Sequence, residues 1–224
     1  MRLAGVLLLT LLWGCGERTP ANSTDDTTPT RLNLAASPSL TVWQTRCASC
    51  HGGAGEGNVA LSAPALTQLS KWYLSRQLNH FISGVRGAHP EDTLGHQMAA
   101  GVVGIAESDV GPLATLISEQ LPAYRPAPSV EGNIDRGEDY YTNLCSACHG
   151  GDALGNEALG APALAGQNDW YLSRQYQSFL KGWRGKHPDD RYGVQMARLA
   201  QALTANDQIA DVIRYIGSLP PRRL

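Results

Sequence analysis

Several residue types are scarce in this chain of 224 residues, which has two phenylalanines, three methionines and five cysteines. Charge is scarce as well. Charged side chains make up 17%, almost balanced at 18 basic against 20 acidic, and no basic block is present. That balance argues against nucleic acid, because neutralising phosphates takes clustered lysine and arginine. Beyond the N-terminal leader, no apolar run approaches the ~20 residues of a spanning helix, so the body of the chain is expected to be soluble. No stretch alternates convincingly between apolar and polar side chains, as a half-buried strand would. The scarcity of cysteine and methionine makes each one individually accountable. The odd cysteine count also means that disulfides alone cannot use them all.

The leader carries Arg2 and a short apolar run from Ala4 to Trp13. It is too short to cross a bilayer and is expected to be an export signal, residues 1–14. It ends LLWGC, where Leu12, Gly14 and Cys15 resemble a bacterial lipoprotein box. That resemblance implies that Cys15 is acylated and anchors the chain to a periplasmic membrane face. Trp13 departs from the box, which prefers a small residue there; cleavage further on, discarding Cys15, is the alternative. Gly16 after Cys15 is a weak hint of outer-membrane sorting. Residues 15–40 are rich in Thr, Ser, Asp and Pro and lack apolar periodicity, which suits a flexible tether.

The remainder repeats itself at an offset of 98 residues. CASCHGG at 47–53 returns as CSACHGG at 145–151, APAL at 63–66 as APAL at 161–164, and WYLSRQ at 72–77 as WYLSRQ at 170–175. His89-Pro90 falls on His187-Pro188, and Gln97-Met98-Ala99 on Gln195-Met196-Ala197. Two copies at so long a period imply two similar domains. They are expected at 41–123 and 133–224, joined by a proline-rich linker at 124–132. Leu74, Leu78, Phe81, Ile82 and Val85 keep helical spacing, as do Leu172, Tyr176, Phe179, Leu180 and Trp183. Both runs are expected to be amphipathic helices stopped by glycines at 84/87 and 182/185. A last helix carries Ile209, Val212, Ile213 and Ile216, with Asn206 as its expected N-cap. Its counterpart in the first copy is expected to open at Gly111-Pro112, with proline at the first position. The fold class is therefore all-α, two tandem bundles of short helices. So small a core gains from burying a large apolar group.

Cys-x-x-Cys on a helix puts two sulfurs on one face, within reach of the two vinyl groups on one side of a porphyrin. The next residue, histidine, projects its imidazole towards the iron. Cys-x-x-Cys-His is the attachment signature of c-type haem. The pattern assigns Cys47 and Cys50 to one covalent haem, Cys145 and Cys148 to a second, and His51 and His149 as iron ligands. The same 47-residue separation lies between His51 and Met98 and between His149 and Met196. Met98 and Met196 are the only methionines besides the initiator, so each is expected to be the sixth ligand. Two disulfides would demand no following histidine. A thioredoxin-like dithiol would need a βαβ setting. Zinc would need further nitrogen or sulfur donors at finger spacing. Methionine as core filler remains the default that the equal spacing opposes.

With these motifs the chain resembles the dihaem cytochrome c4 family over about residues 40–219. The resemblance implies two cytochrome c-like helical domains packed against each other, with haem propionates near their interface. It implies periplasmic electron transfer by an outer-sphere route, from a quinol-oxidising complex or dehydrogenase to a terminal haem–copper oxidase. It also implies that the carbonyls of Pro64 and Pro162 accept the second imidazole proton of the ligating histidines. Arg86 and Arg184 would pair with propionates, and Trp72 and Trp170, beside Tyr73 and Tyr171, would pack on haem. His96 is a candidate substitute for Met98, and His89 and His187, paired across the repeat but preceding prolines, are expected in surface or structural roles, with bis-histidine ligation as the alternative. Gly137, Tyr141 and Cys145 resemble the close crossing of first and last helices; Ser39 and Trp43 replace the first two in copy one, so its crossing must differ. Residues 41–123 are net −2 and 131–224 net −1, which leads to docking at a haem edge of mixed polarity. The rivals are a dihaem enzyme of peroxidase or thiosulfate-oxidising type, which would keep one iron open, and a cytochrome subunit fixed to a dehydrogenase.

Overall fold

The computed structural model describes residues 37–223; the leader, Cys15 and most of the tether lie outside the described residues. Both copies build their helices in the same order. In the first, α1 (Pro38–Val42) runs through one π-helical turn, Trp43–Cys47, into α2 (Ala48–His51). Next come α3 (Lys71–Ile82), α4 (Thr93–Gly101) and α5 (Glu107–Thr115), the last extended by a π-helical turn at Leu116–Gln120. The second copy has α6 (Ile134–Leu144), α7 (Ser146–His149), α8 (Asp169–Leu180), α9 (Arg191–Leu199) with a 3-10 turn at Ala200–Ala202, and α10 (Asn206–Ser218). Among the described residues the only β pairing is two isolated bridges, Asn58 with Ala63 and Asn156 with Ala161. The chain is all-α, and no described helix is long and apolar enough to cross a membrane.

Helical periodicity explains α3 and α8. Leu74, Leu78 and Phe81 are buried on one face of α3, and glycines with positive φ (84, 87, 182 and 185) come after both helices. Two helix starts differ from expectation. Pro112 lies inside α5, whose first turn begins at Glu107 with Asp109 nearby, so the carboxylates at the positive helix end set the start. Pro112 sits just past that first turn. At α10 the N-cap is Ala205; Asn206 is the first helical residue and accepts a hydrogen bond from Gln177 instead. The short α4 and α9 are started alike: Asp92 and Asp190 each accept the backbone N–H three residues on, from Gly95 and Gly193, at 2.9 Å.

The first-to-last helix crossing differs between copies, as the sequence implied. In the second copy α6 lies directly on α10, and a Cβ at Gly137 would fall 2.5 Å from the carbonyl carbon of Asp211. Tyr141, fully buried at that crossing, donates to Gly150 O at 2.6 Å. In the first copy fully buried Trp43 takes the aligned place and donates to Gly53 O at 3.0 Å.

The two copies pack through α3 and α8 with approximate two-fold symmetry. Arg76 donates to Gly160 O at 2.6 Å, and Arg174 to the aligned Ser62 O at 2.8 Å. Other contacts are one-sided. Gln167 and Asn168 clamp the backbone of Ala65, where the first copy has Leu69 and Ser70. The C-terminal segment also crosses over: Arg222 donates to Leu69 O at 3.1 Å, and Arg223 to Ser118 O at 2.7 Å and Leu121 O at 3.0 Å. The linker is pinned by Asp169, which accepts from Ser129 Oγ (2.7 Å), from Val130 N (2.6 Å) and from Ser129 N.

Candidate functional site

Each CxxCH segment ends a helix, and the loop after it turns the chain back onto the histidine. Gly52 and Gly150 leave α2 and α7 with φ near +80°. The loop is then drawn in: Gly57 N bonds His51 O at 2.7 Å, and Asn58 pairs with Ala63. This close approach requires glycine, since a Cβ at Gly57 would fall 2.6 Å from Ala65 N, and one at Gly155 2.6 Å from Ala163 N. The turn delivers Pro64 O to 2.9 Å from His51 Nδ1, and Pro162 O to 2.9 Å from His149 Nδ1. A carbonyl can only accept, so Nδ1 carries the proton and Nε2 keeps its lone pair. Burial pushes both imidazoles below the usual histidine range, against the upward pull of the proline carbonyls. Each is therefore held neutral, as a metal ligand must be.

Two cavities open beside these rings, enclosing about 1260 and 1760 Å³ of space, mouths included. The first is lined by Cys47, Cys50, His51, Pro64 and Met98, the second by Cys145, Cys148, His149, Pro162 and Met196. The four described cysteines are unpaired thiols. Cys47 and Cys145 are half-buried, and burial pushes each thiol up to about 11; Cys50 and Cys148 are exposed. Among the described residues no group of three or more His, Cys, Asp or Glu is placed to hold a metal ion. The second copy buries fewer large apolar side chains around the larger space, and Leu172, Tyr176 and Phe179 line it half-buried.

The inner walls meet at the domain interface. Arg86 donates to Gln77 Oε1 (2.7 Å), Gln175 Oε1 (2.8 Å) and Tyr171 Oη (3.0 Å). Arg184 donates to the same two glutamines, at 2.7 Å to Gln175 and 3.1 Å to Gln77. Both guanidiniums are buried, yet none of their hydrogen-bond acceptors is a carboxylate, and the buried Nε of Arg184 has no acceptor. Two buried cations without a hydrogen-bonded carboxylate are costly. The wall thus calls for carboxylates that the protein does not supply, and the carboxylate-bearing edge of a tetrapyrrole answers that need. Apolar walls, paired sulfurs, a neutral imidazole and buried cations together fit haem c.

Other expected residues sit elsewhere. Trp72 and Trp170 line neither cavity: one position of helical rotation turns them aside, and their rings lie under Arg76 and Arg174 at 4.9 and 5.0 Å. Their neighbours Tyr73 and Tyr171 line both cavities. His96 is exposed and outside the cavity wall. His89 stacks on Trp183 across the interface at 6.1 Å. Gln77 and Gln175 went unnoticed in the sequence, although they close the repeated WYLSRQ and their identity in both copies was the available signal.

Residues 39–119 and 134–220 each match the protein family described as cytochrome c. The chain is 32% identical over 167 residues to the thiosulfate dehydrogenase electron acceptor of Thiomonas intermedia, covering 70% of this chain and 73% of that protein. It is 28% identical over 182 residues to cytochrome c4 of Stutzerimonas stutzeri, covering 77% of this chain and 84% of that one. The solved structure of cytochrome c4 from Acidithiobacillus ferrooxidans superposes with a TM-score of 0.64 at 25% identity, over 79% of this chain and 99% of that chain.

Proposed function

The chain belongs to the cytochrome c family, holds two covalently bound haems and carries electrons, and from that premise we propose a ligand set, a location and a route. His51 with Met98, and His149 with Met196, ligate the two irons, and Cys47, Cys50, Cys145 and Cys148 form the thioethers. The observation that carries this is the equal 47-residue separation of both His–Met pairs, each pair lining one cavity. Bound haem supplies a one-electron Fe(III)/Fe(II) couple. The chain's own residues do the rest. The proline carbonyls fix the imidazole tautomer, the methionine sulfurs would supply each iron with a second protein ligand, and Arg86 and Arg184 would pair with the haem carboxylates at the interface.

The chain is exported, and Cys15, outside the described residues, is its lipid anchor at the periplasmic membrane face. Residues 15–40 give the reach to meet partners. Electrons arrive from a dehydrogenase or quinol-oxidising complex and leave to a haem–copper oxidase; the name of the Thiomonas relative, an electron acceptor of a dehydrogenase, supports the first half. Met98→Ala and Met196→Ala test the ligands. Each single variant should lose about half of the weak far-red ferric band and gain carbon monoxide binding by one reduced haem. If both variants keep the parental spectra and refuse carbon monoxide, the assignment fails.

A further inference from the structure

The two methionine-bearing helices are tied down by different side chains. α4, which carries Met98, ends at Gly101, and in the turn that follows Val102 is buried and Gly104 has φ +81°. A helix end leaves carbonyls without partners, and neither Gly101 O nor Val103 O accepts a backbone N–H. Arg46, the residue before Cys47, serves both: its Nη2 donates to Gly101 O at 3.4 Å and to Val103 O. A cation also suits the negative end of α4. Arg46 and Gly101 both line the first cavity. In the second copy the aligned residues are Leu144, Leu199 and Gln201, and a leucine at 144 has no donor with which to repeat the tie. There α9 runs on into its 3-10 turn, and α8 holds it. Tyr176 Oη donates to Ala200 O at 3.0 Å, and Gln201 Nε2 to Leu180 O at 3.3 Å. The first copy has Leu78 and Val103 at the positions of Tyr176 and Gln201, and their side chains carry no donor.

A neutral thioether is a weak donor, so its hold on a metal depends on the chain that presents it. We propose that Arg46 is a positioning residue for Met98: it ties the end of α4 to the haem-attachment segment and so closes the first His–Met clamp from outside. The inference rests on the proposed pairing of His51 with Met98 and adds what keeps that pair shut. It also orders the two haems. The first arm hangs on one exposed guanidinium, and glycine at 101 and 104 raises the entropy that its turn loses on ordering. The second arm hangs on a half-buried phenol, with Leu199 and Ala202 at the aligned places. Water competes for an exposed hydrogen bond, whereas a half-buried one holds more firmly. The first haem is therefore the one whose sixth position opens first to an added ligand, and Arg46 sets how readily it opens. In the second domain Tyr176 does the same work for Met196 from a different helix.

The test uses full-length, haem-loaded ferric protein and imidazole, a neutral nitrogen donor that competes with each thioether. The weak far-red ferric band reads methionine on iron, and imidazole should erase it in two steps, the first haem's at the lower concentration. Met98→Ala keeps only the second haem's step and so assigns them. Arg46→Leu, which copies the second domain, should lower the first midpoint about fivefold or more and leave the second in place. Arg46→Lys should recover part of that loss, since one ammonium still reaches a carbonyl. Tyr176→Phe should instead lower the second midpoint. On the Met98→Ala background Arg46→Leu should move nothing, whereas a general loss of stability would move the step that remains. If Arg46→Leu leaves the first midpoint within about twofold of the parent, where a lost charged hydrogen bond should exceed that, or if it lowers both midpoints equally, Arg46 does not position Met98 while the ligand set stands. A parent whose second haem yields first would overturn the order. If the parent shows no far-red band at all, the ligand set fails and takes this inference with it.

Discussion

Gly137→Ala is a sharp test of how the second domain is held together. Gly137 is the point where α6 touches α10. An added Cβ would sit 2.5 Å from the carbonyl carbon of Asp211, closer still to its oxygen, and 3.0 Å from Tyr215 Cβ. Ordinary contact begins near 3.4 Å, and the obstacle is backbone, which no rotamer change can clear. The helices must therefore part by about 1 Å, in a region where Tyr141, Val212, Ile213 and Ile216 are buried together. Overpacking of this kind costs about 1–3 kcal/mol, and the interposed backbone argues for the upper half. For a folded unit of this size ~2–3 kcal/mol lowers the midpoint by roughly 5–10 °C. Gly111→Ala in α5 is the control: its Cβ meets nothing within 4 Å, and losing glycine from a helix is worth about 0.5–1 kcal/mol in favour of folding. Thermal melts of the haem-loaded variants, read in the far ultraviolet and at the Soret band, give the answer. A Gly137→Ala midpoint within about 1 °C of the parent would refute the reasoning, since so tight a crossing cannot absorb a methyl group for nothing.

Removing residues 220–224 should weaken the coupling of the domains, because the hydrogen bonds from Arg222 and Arg223 to Leu69, Ser118 and Leu121 go with them while those of Arg76, Arg174, Gln167 and Asn168 remain; calorimetry should show a lower or broader transition, and an unshifted one would count against the strap. Asp169→Ala removes a carboxylate that accepts from Ser129, Val130 and Trp170, so the linker should become a site of early proteolysis at a cost of about 1–2 kcal/mol. Burial opposes ionisation of Asp169, but those hydrogen bonds outweigh it and hold its carboxyl below the usual range. Its contribution is therefore present above the unfolded-state value and lost as pH falls through the folded one, so the parent and the variant should converge in stability in acid. Convergence at alkaline pH instead would reverse that sign. In haem-free protein, alkylation at pH 8 should reach exposed Cys50 and Cys148 first, and the rate at Cys47 and Cys145 should climb with pH towards about 11; equal rates at all four would contradict their burial.

The sequence pointed to two covalent haems because attachment chemistry is local. Sulfurs at i and i+3, a histidine after them and a methionine at one fixed distance state the cofactor without any coordinates. Helical periodicity marked α3 and α8 for the same reason, and Gly137 announced its own crossing. Helix starts were less legible. Pro112 and Asn206 fit the propensities of first positions, yet the first-turn carboxylates and Ala205 set the starts. Trp72 and Tyr73 are adjacent in the chain, and only the rotation of α3 decides which of them faces the cavity.

What the sequence determined by itself is the pair of haem-binding units, since each requires only residues within one repeat. What the tertiary structure decided is everything that depends on one repeat meeting the other. Gln77 and Gln175 bracket Arg86 and Arg184 across the interface, and the C-terminal arginines grip the first domain from more than 100 residues away. Such contacts join positions with no fixed separation, so no periodicity or motif records them, and they arise from packing two nearly equal surfaces face to face.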